Sequence, residues 1–315
     1  MTGPVPAHVV VAGEALVDLV WRPDGVLQPL PGGGPFNTAR TLGRLGTRTT
    51  FLGAVSNDRF GQLLSGALAG DNVLLDPRLR TERPTSLAIA ELDANGGATY
   101  RFHFSGTSAE GLTVDNALEV LPHDARALHI GSLGLVLEPL ALAVEAAMTR
   151  LSGSALIMVD PNMRPSIVHD RARHAVRLRR IMAQSNVVKV SDEDLRALSP
   201  DQAPADAARA LLDQGPRLVL LTLGAKGVIA FGAFGAIAIP SPVVKVVDTI
   251  GAGDIFSGAW LAHWLAAGGD LADRHAVSAA TAFACSAAAL SCARKGASPP
   301  TRSEMTQQTG NPPPA

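Results

Sequence analysis

Ala155-Leu-Ile-Met-Val-Asp160 is a short apolar run that closes on a carboxylate; residues 170–183 follow with a helical pattern, and Val187-Val-Lys-Val-Ser191 opens the next apolar run. An unbroken apolar run of this length suits a strand covered on both faces. Two such runs joined through a helix form the crossover unit of a parallel sheet. Outward from this unit the same alternation predicts strands over 8–12, 50–55, 128–131, 155–160, 187–190, 218–223, 227–231 and 243–247. It predicts helices over 37–45, 60–69, 139–151, 170–183, 204–214, 254–267 and 276–293, with Gly46, Gly70, Gly215 and Gly268 as stops after four of them. The expected fold is α/β with a largely parallel sheet.

One region breaks the rhythm. Residues 86–93 and 98–104, joined through Asn95-Gly96-Gly97, read as a β-hairpin, either an edge extension or a lid over a site. The first seven residues and the Pro-rich tail beyond Pro299 read as loose ends. No internal period recurs, which argues against solenoids and propellers.

The 315 residues carry 27 basic and 28 acidic side chains, and no basic segment suited to nucleic acid or a polybasic membrane anchor. Cys285 and Cys292 lie in one Ala-rich helical run, about 10 Å apart along the axis and too far to bridge. Residues 276–293 are apolar, but rich in Ala, Ser and Thr and shorter than a typical span, so no membrane partner is expected. With no export signal and two thiols, the expected compartment is the cytoplasm.

The chemistry concentrates in Asp248-Thr-Ile-Gly-Ala-Gly-Asp254, which precedes a helix. Gly251 and Gly253 bare the backbone at a helix N-terminus, where N–H groups and the helix dipole favour a phosphate. Asp254 is by default a helix cap; after two glycines that let a ligand approach, it reads as a catalytic base. Gly32-Gly33-Gly34-Pro35-Phe36-Asn37 is a second glycine cluster, in which Asn37 could be a plain helix cap. It lacks the Lys-Ser/Thr of a Walker loop and the spacing of a dinucleotide fingerprint. Thr222-Leu-Gly224-Ala-Lys226-Gly227 is an ordinary hairpin turn or a ligand-facing one. Asp160-Pro-Asn162-Met-Arg164 and Lys189-Val-Ser191-Asp192-Glu193-Asp194 place polar groups after strands, where open α/β sheets gather ligands. The eight histidines show no metal-ligand spacing.

In this order the motifs resemble those of the PfkB, or ribokinase-like, carbohydrate kinases, from about Val9 to Pro300. The resemblance implies a Rossmann-like α/β body in one domain over 1–300, a β lid around 84–107 and a loose tail over 301–315. It implies ATP as donor with Mg²⁺, a sugar as acceptor, and it admits K⁺ and a homodimer. By position, Asp254 is implied as the base, with Gly251, Ala252 and Gly253 as the anion hole. Asp18, Gly32, Gly33, Asn37 and Arg164 are implied as sugar contacts. Asn162, Lys189, Thr222, Gly224 and Gly227 are implied as nucleotide contacts. The family's Asn-x-x-Glu element, which organises Mg²⁺ through water, stands here as Ser191-x-x-Asp194, one methylene shorter. Carbonyls of Asp248, Ile250, Arg294 and Gly296 are the implied monovalent-cation ligands.

Among family members the motifs are most similar to fructokinases and 2-keto-3-deoxygluconate kinases. The keto-acid enzymes place an arginine three residues before a Ser-Ala pair. Here the pair is Ser108-Ala109 and the place is held by Ser105, which cannot grip a carboxylate in two-point fashion. Fructose is therefore the leading acceptor; 2-keto-3-deoxygluconate, for which Arg101 could substitute, and a ribokinase-type acceptor are the alternatives, and a non-catalytic sugar- or nucleotide-binding sensor is the reading from another class.

Overall fold

In the computed structural model, which describes residues 7–21, 25–92, 98–168 and 170–309, the chain divides into a large sheet and a small one. The large sheet is centred on β1 (His8–Ala12), every residue of which is buried. Val9 and Val11 face one hydrophobic core, while Val10 and Ala12 face another on the opposite side. That two-sided burial is why the strand is apolar without alternation.

In chain order the other strands are β2 (Leu16–Trp21), β3 (Leu27–Gly32), β4 (Arg48–Leu52), β5 (Val55–Ser56), β6 (Val73–Leu74), β7 (Arg80–Thr81), β8 (Leu87–Leu92), β9 (Ala98–His103), β10 (Ala125–Gly131), β11 (Leu156–Asp160), β12 (Val187–Ser191), β13 (Leu218–Thr222), β14 (Val228–Gly232) and β15 (Gly235–Ile239). The nine-stranded sheet runs β15-β14-β13-β12-β11-β10-β1-β4-β6. It is parallel from β6 to β13, and antiparallel where β14 and β15 close it as hairpins. Helices α1 (Gly34–Arg44), α2 (Arg59–Gly70), α8 (Ala252–Ala267) and α9 (Arg274–Cys292) cover one face. On the other lie α3 (Val114–Val120), α4 (Leu140–Leu151), α5 (Arg171–Ala183), α6 (Asp192–Leu198) and α7 (Pro204–Leu212). The α/β expectation holds. α9 is long and apolar enough to cross a membrane, yet it packs along α8 with Val277, Ala280, Ala284 and Ala287 in the core.

The small sheet, β3-β2-β8-β9, is mixed: β2 and β8 pair parallel, the two outer pairs antiparallel. It is the lid. The turn proposed at Asn95–Gly97 lies outside the described residues. Pro29 and Pro31 are tolerated in β3 because it is an edge strand; those prolines hid the strand from the sequence pattern. β3 also means that the glycine cluster follows a strand directly.

Three expectations fail. Residues 243–247 form no strand; Val243 is fully exposed, and the N–H groups of Val247 and Asp248 bond to the Cys292 carbonyl instead. The sheet edge is already taken by β15, whose small residues gave little strand signal. Nor is the tail beyond 300 loose throughout: α10 (Arg302–Thr309) folds back and buries Met305 completely. Asn37 is no cap, since α1 begins at Gly34 with Gly33 as its N-cap, at φ 111°.

Candidate active site

α8 begins at the motif. Gly251 is its N-cap at φ 74°, a left-handed conformation that favours glycine, and no side chain caps the helix. The N–H groups of Gly253 and Asp254 find no acceptor among the described residues, so they remain available to an anion at the positive end of a 16-residue helix. A Cβ on Gly251 would lie 2.6 Å from that of Ala297. Glycine there is a packing requirement as well as an opening.

Asp254 does not cap. Its Oδ2 accepts from Asn37 Nδ2 at 3.0 Å, and its main-chain oxygen accepts from Thr38 Oγ1 at 3.2 Å. Both partners come from α1, which α8 can approach because Gly258 has no side chain; a Cβ there would sit 2.8 Å from the Thr38 carbonyl. The other oxygen, Oδ1, points toward the glycine turn, 3.2 Å from where a Cβ of Gly34 would be. The same Gly34 position is 3.3 Å from Asn162 Nδ2 and 3.2 Å from Ser132 Cβ. Asn162 and Ser132 hold φ of 43° and 54°, strain that concentrates at sites where side chains must be aimed. Burial pushes the Asp254 carboxyl up to about 7, against the Asn37 hydrogen bond. The helix N-terminus alone would have suggested a fully ionised carboxylate; loss of water outweighs it.

Beneath the cradle, Lys189 Nζ donates to Asp160 Oδ2 at 2.8 Å, and both residues are buried. Burial opposes the lysine charge, but Asp160, Asp194 and Asp254 together hold its pKa above the ordinary value. On the lid side, Asp18 of β2 lies against Gly32, where a Cβ would overlap its Oδ2. Burial raises the Asp18 carboxyl to about 6, opposed by the Arg164 charge. Glu14 ties the site together: Oε1 accepts from Gly34 N at 3.2 Å and Oε2 from Gly134 N at 3.0 Å. Sequence reasoning assigns no role to Glu14, Thr38 or Ser132, and meets Gly34 and Asp160 only as members of longer motifs. Glu14, Ser132 and Asp160 carry one sequence signal, a place at or just after the end of a strand; Thr38, inside α1, carries none.

These groups stand at the carboxyl ends of β1, β10, β11 and β12, facing the lid. A cavity of about 1150 Å³ lies at the opposite strand ends, lined by Ala7, Leu156, His263 and Trp264, and shares no residue with the site.

The profile of the pfkB family carbohydrate kinases matches residues 7–304. The chain belongs to that family. It is 38% identical over 259 residues to a fructokinase of Rhizobium leguminosarum bv. trifolii, spanning 81% of this chain and 78% of that one. Among solved structures it is similar to fructokinase from Vibrio cholerae O395 in its fructose, ADP and calcium ion bound form, with TM-score 0.86 and 27% identity over 96% of this chain and 98% of that one. A double mutant of that enzyme, bound to fructose, ADP and potassium ion, matches with TM-score 0.86 and 26% identity over 97% and 99%. The protein is thus a carbohydrate kinase, an ATP-binding phosphotransferase with an alcohol group as acceptor.

For this kinase the remaining expected residues fall in different places. Gly224 is exposed, with open space where a Cβ would be, as a nucleotide contact needs. Gly227 is buried; a Cβ there would meet the Ile239 carbonyl at 2.1 Å, so its glycine serves the β13–β14 hairpin. Thr222, at the end of β13, donates to the Val190 carbonyl at 3.3 Å.

Asp194 is fixed by hydrogen bonds on both carboxylate oxygens. Oδ1 accepts from Met163 N at 2.7 Å, and Oδ2 from Ser191 N and Oγ at 2.9 and 2.7 Å. The shorter carboxylate closes a capping box and fixes the Asn162–Arg164 loop. No group of three His, Cys, Asp or Glu among the described residues could hold a metal. Asp248, by contrast, joins the two turns of the expected cation site: its oxygens accept from Ile250 N at 3.0 Å and Gly296 N at 2.9 Å. Arg294 turns its side chain away to Glu304.

Across the lid, Asp18, Ala88 and Phe102 are register partners and share one face, with Phe104 two residues on. Arg101 pairs with Ile89, which in turn pairs with Leu19, one residue out of step, and so points to the other face. Phe102, Phe104 and Ser105 line a cavity of about 440 Å³ with Leu137 and Ile167.

Proposed function

We propose that the kinase is a fructokinase, transferring the γ-phosphoryl group of ATP to a hydroxyl of fructose with Asp254 as general base. The observation that carries the acceptor is the lid register. Ser105 holds the place of a carboxylate-gripping arginine, and Arg101 lies on the face away from Asp18, which supports a neutral sugar over a keto acid.

The hydroxyl approaches Oδ1, while Asn37 holds Oδ2 and fixes the carboxylate plane. As the sugar oxygen bonds to the γ-phosphorus, its proton passes to Oδ1 and the bond to the bridging β-phosphate oxygen breaks, releasing ADP. The N–H groups of Gly253 and Asp254 face the charge gathering on the transferred group. Mg²⁺ would come with the nucleotide phosphates and neutralise their charge, with Asp194 as the carboxylate that would reach it through water. The Asp248-tied turns are where K⁺ would sit, held by carbonyls of Asp248, Ile250, Arg294 and Gly296. Asp18 and Arg164 orient the sugar; Thr222 and Gly224 border the nucleotide. We place the enzyme in the cytoplasm. Trp21 and Leu27, exposed on the lid, form an apolar edge that a second copy would cover in a homodimer.

Steady-state kinetics with ATP and a panel of fructose, ribose and 2-keto-3-deoxygluconate test the reading. Fructose is expected to give the highest kcat/KM; a clear preference for the keto acid would overturn the acceptor.

A further inference from the structure

A buried ammonium lies directly under the phosphate cradle. A Cβ on Gly253 would stand 2.9 Å from Lys189 Nζ, so the missing side chain is what lets the lysine press against that backbone. Lys189 is only 5% exposed and spends one donor on Asp160 Oδ2 at 2.8 Å. Ser257 of α8 reaches the same oxygen at 3.4 Å, locking the pair to the helix that carries Asp254. The resemblance cast Lys189 as a nucleotide contact; its depth gives it another task.

We propose that Lys189 is a positioning residue for phosphoryl transfer, a clamped buried cation that keeps Asp254 in its proton-accepting form and adds positive charge beneath the Gly253 cradle. The proposal rests on Asp254 being the base. Groups facing that carboxylate are Asn37 from α1, Asp160 from β11, Lys189 from β12 and Glu14 after β1. Asp160 and Glu14 repel its charge; Lys189 is the one cation among them. Facing Lys189 itself are Asp160, Asp194 and Asp254, with His129 kept neutral by burial. Opposite charges a few ångströms from a carboxylate move its titration in opposite directions.

That gives the test a sign. Full-length protein labelled with ¹³C at aspartate Cγ is titrated, the Asp254 signal being assigned by its loss in Asp254→Asn. Lys189→Met is expected to raise the Asp254 midpoint by about one pH unit, and Asp160→Asn to lower it by about as much. Lys189→Arg retains the parent midpoint. The acid limb of kcat should follow, with Lys189→Met about fivefold slower at pH 7 and recovering toward pH 9. A pair that merely stabilises the fold would leave both midpoints in place, or move them the same way, and either result overturns the proposal. Should Lys189→Met fail to fold, Asp160→Asn and the double variant, in which no unpaired charge is buried, decide it by the same signs: a lowered midpoint in the first, returning toward the parent value in the second. A wild-type protein that turns over no sugar, yet shows the opposed shifts, would refute the kinase reading and leave the electrostatic assignment standing.

Discussion

The cradle and the lid are built on opposite terms. Around Asp254, α1, α8 and α9 interlock over a large core with Phe36, Leu42, Ile255 and Trp260 buried, and the charged groups are fixed from several sides. The lid face has a small core of Leu16, Ala88, Phe104 and Leu133, and Trp21 and Leu27 at the far end of β2 and β3 are exposed. A preorganised charge site needs rigid support, because its dipoles must already point at the transition state. A cover must release product, so a small core suits it. The lesson is that chemistry should be sensitive to the first region, and substrate retention to the second.

The largest expected effect lies in the cradle. Asp254→Asn keeps the shape and removes the basic oxygen, so kcat should fall by about 10²–10⁴ with little change in ligand affinity. Its stability has a definite sign. The folded carboxyl is raised from 3.8 to about 7, so the folded state holds the proton more tightly than the unfolded state. The stabilisation is complete below about pH 4 and is lost as pH rises toward 7. Asp254→Asn should therefore melt higher than the parent at pH 8; a lower melting temperature with kcat intact would make Asp254 a structural cap. Next in size is the pH dependence of the parent: kcat should drop about tenfold per pH unit well below 7, and Asp254→Asn should abolish that limb.

In the lid, Phe104→Ala should raise the sugar KM about three- to tenfold, since the loss is mainly of binding, while kcat changes less. ATP hydrolysis without transfer should rise as water enters. An unchanged KM would reduce the lid to an edge extension. The smallest effect separates two glycines of one turn. Gly224→Ala, with open space but φ +56°, should cost about 1 kcal/mol by urea unfolding. Gly227→Ala, driven into the Ile239 carbonyl, should cost several times more.

By itself the sequence determined the alternation that makes a parallel sheet, because strands buried on both faces must be apolar throughout. It also determined the phosphate cradle, because two glycines and a helix start are local and make a nest wherever they occur. That Ser105 stands in the place of an arginine was legible only through the family resemblance. What lay beyond it were meetings set by packing. Asn37 reaches Asp254 across 217 residues only because α1 and α8 touch at Gly258. Glu14 joins two loops through backbone N–H groups, which no residue identity announces. Asp194 stands where the sequence shows a shortened carboxylate, and only the fold shows that it meets the Met163 and Ser191 donors. Residues 243–247 had a strand's composition and no free edge to join. Composition decides what a segment can do; the long-range hydrogen bonds and the order in which edges are filled decide what it does.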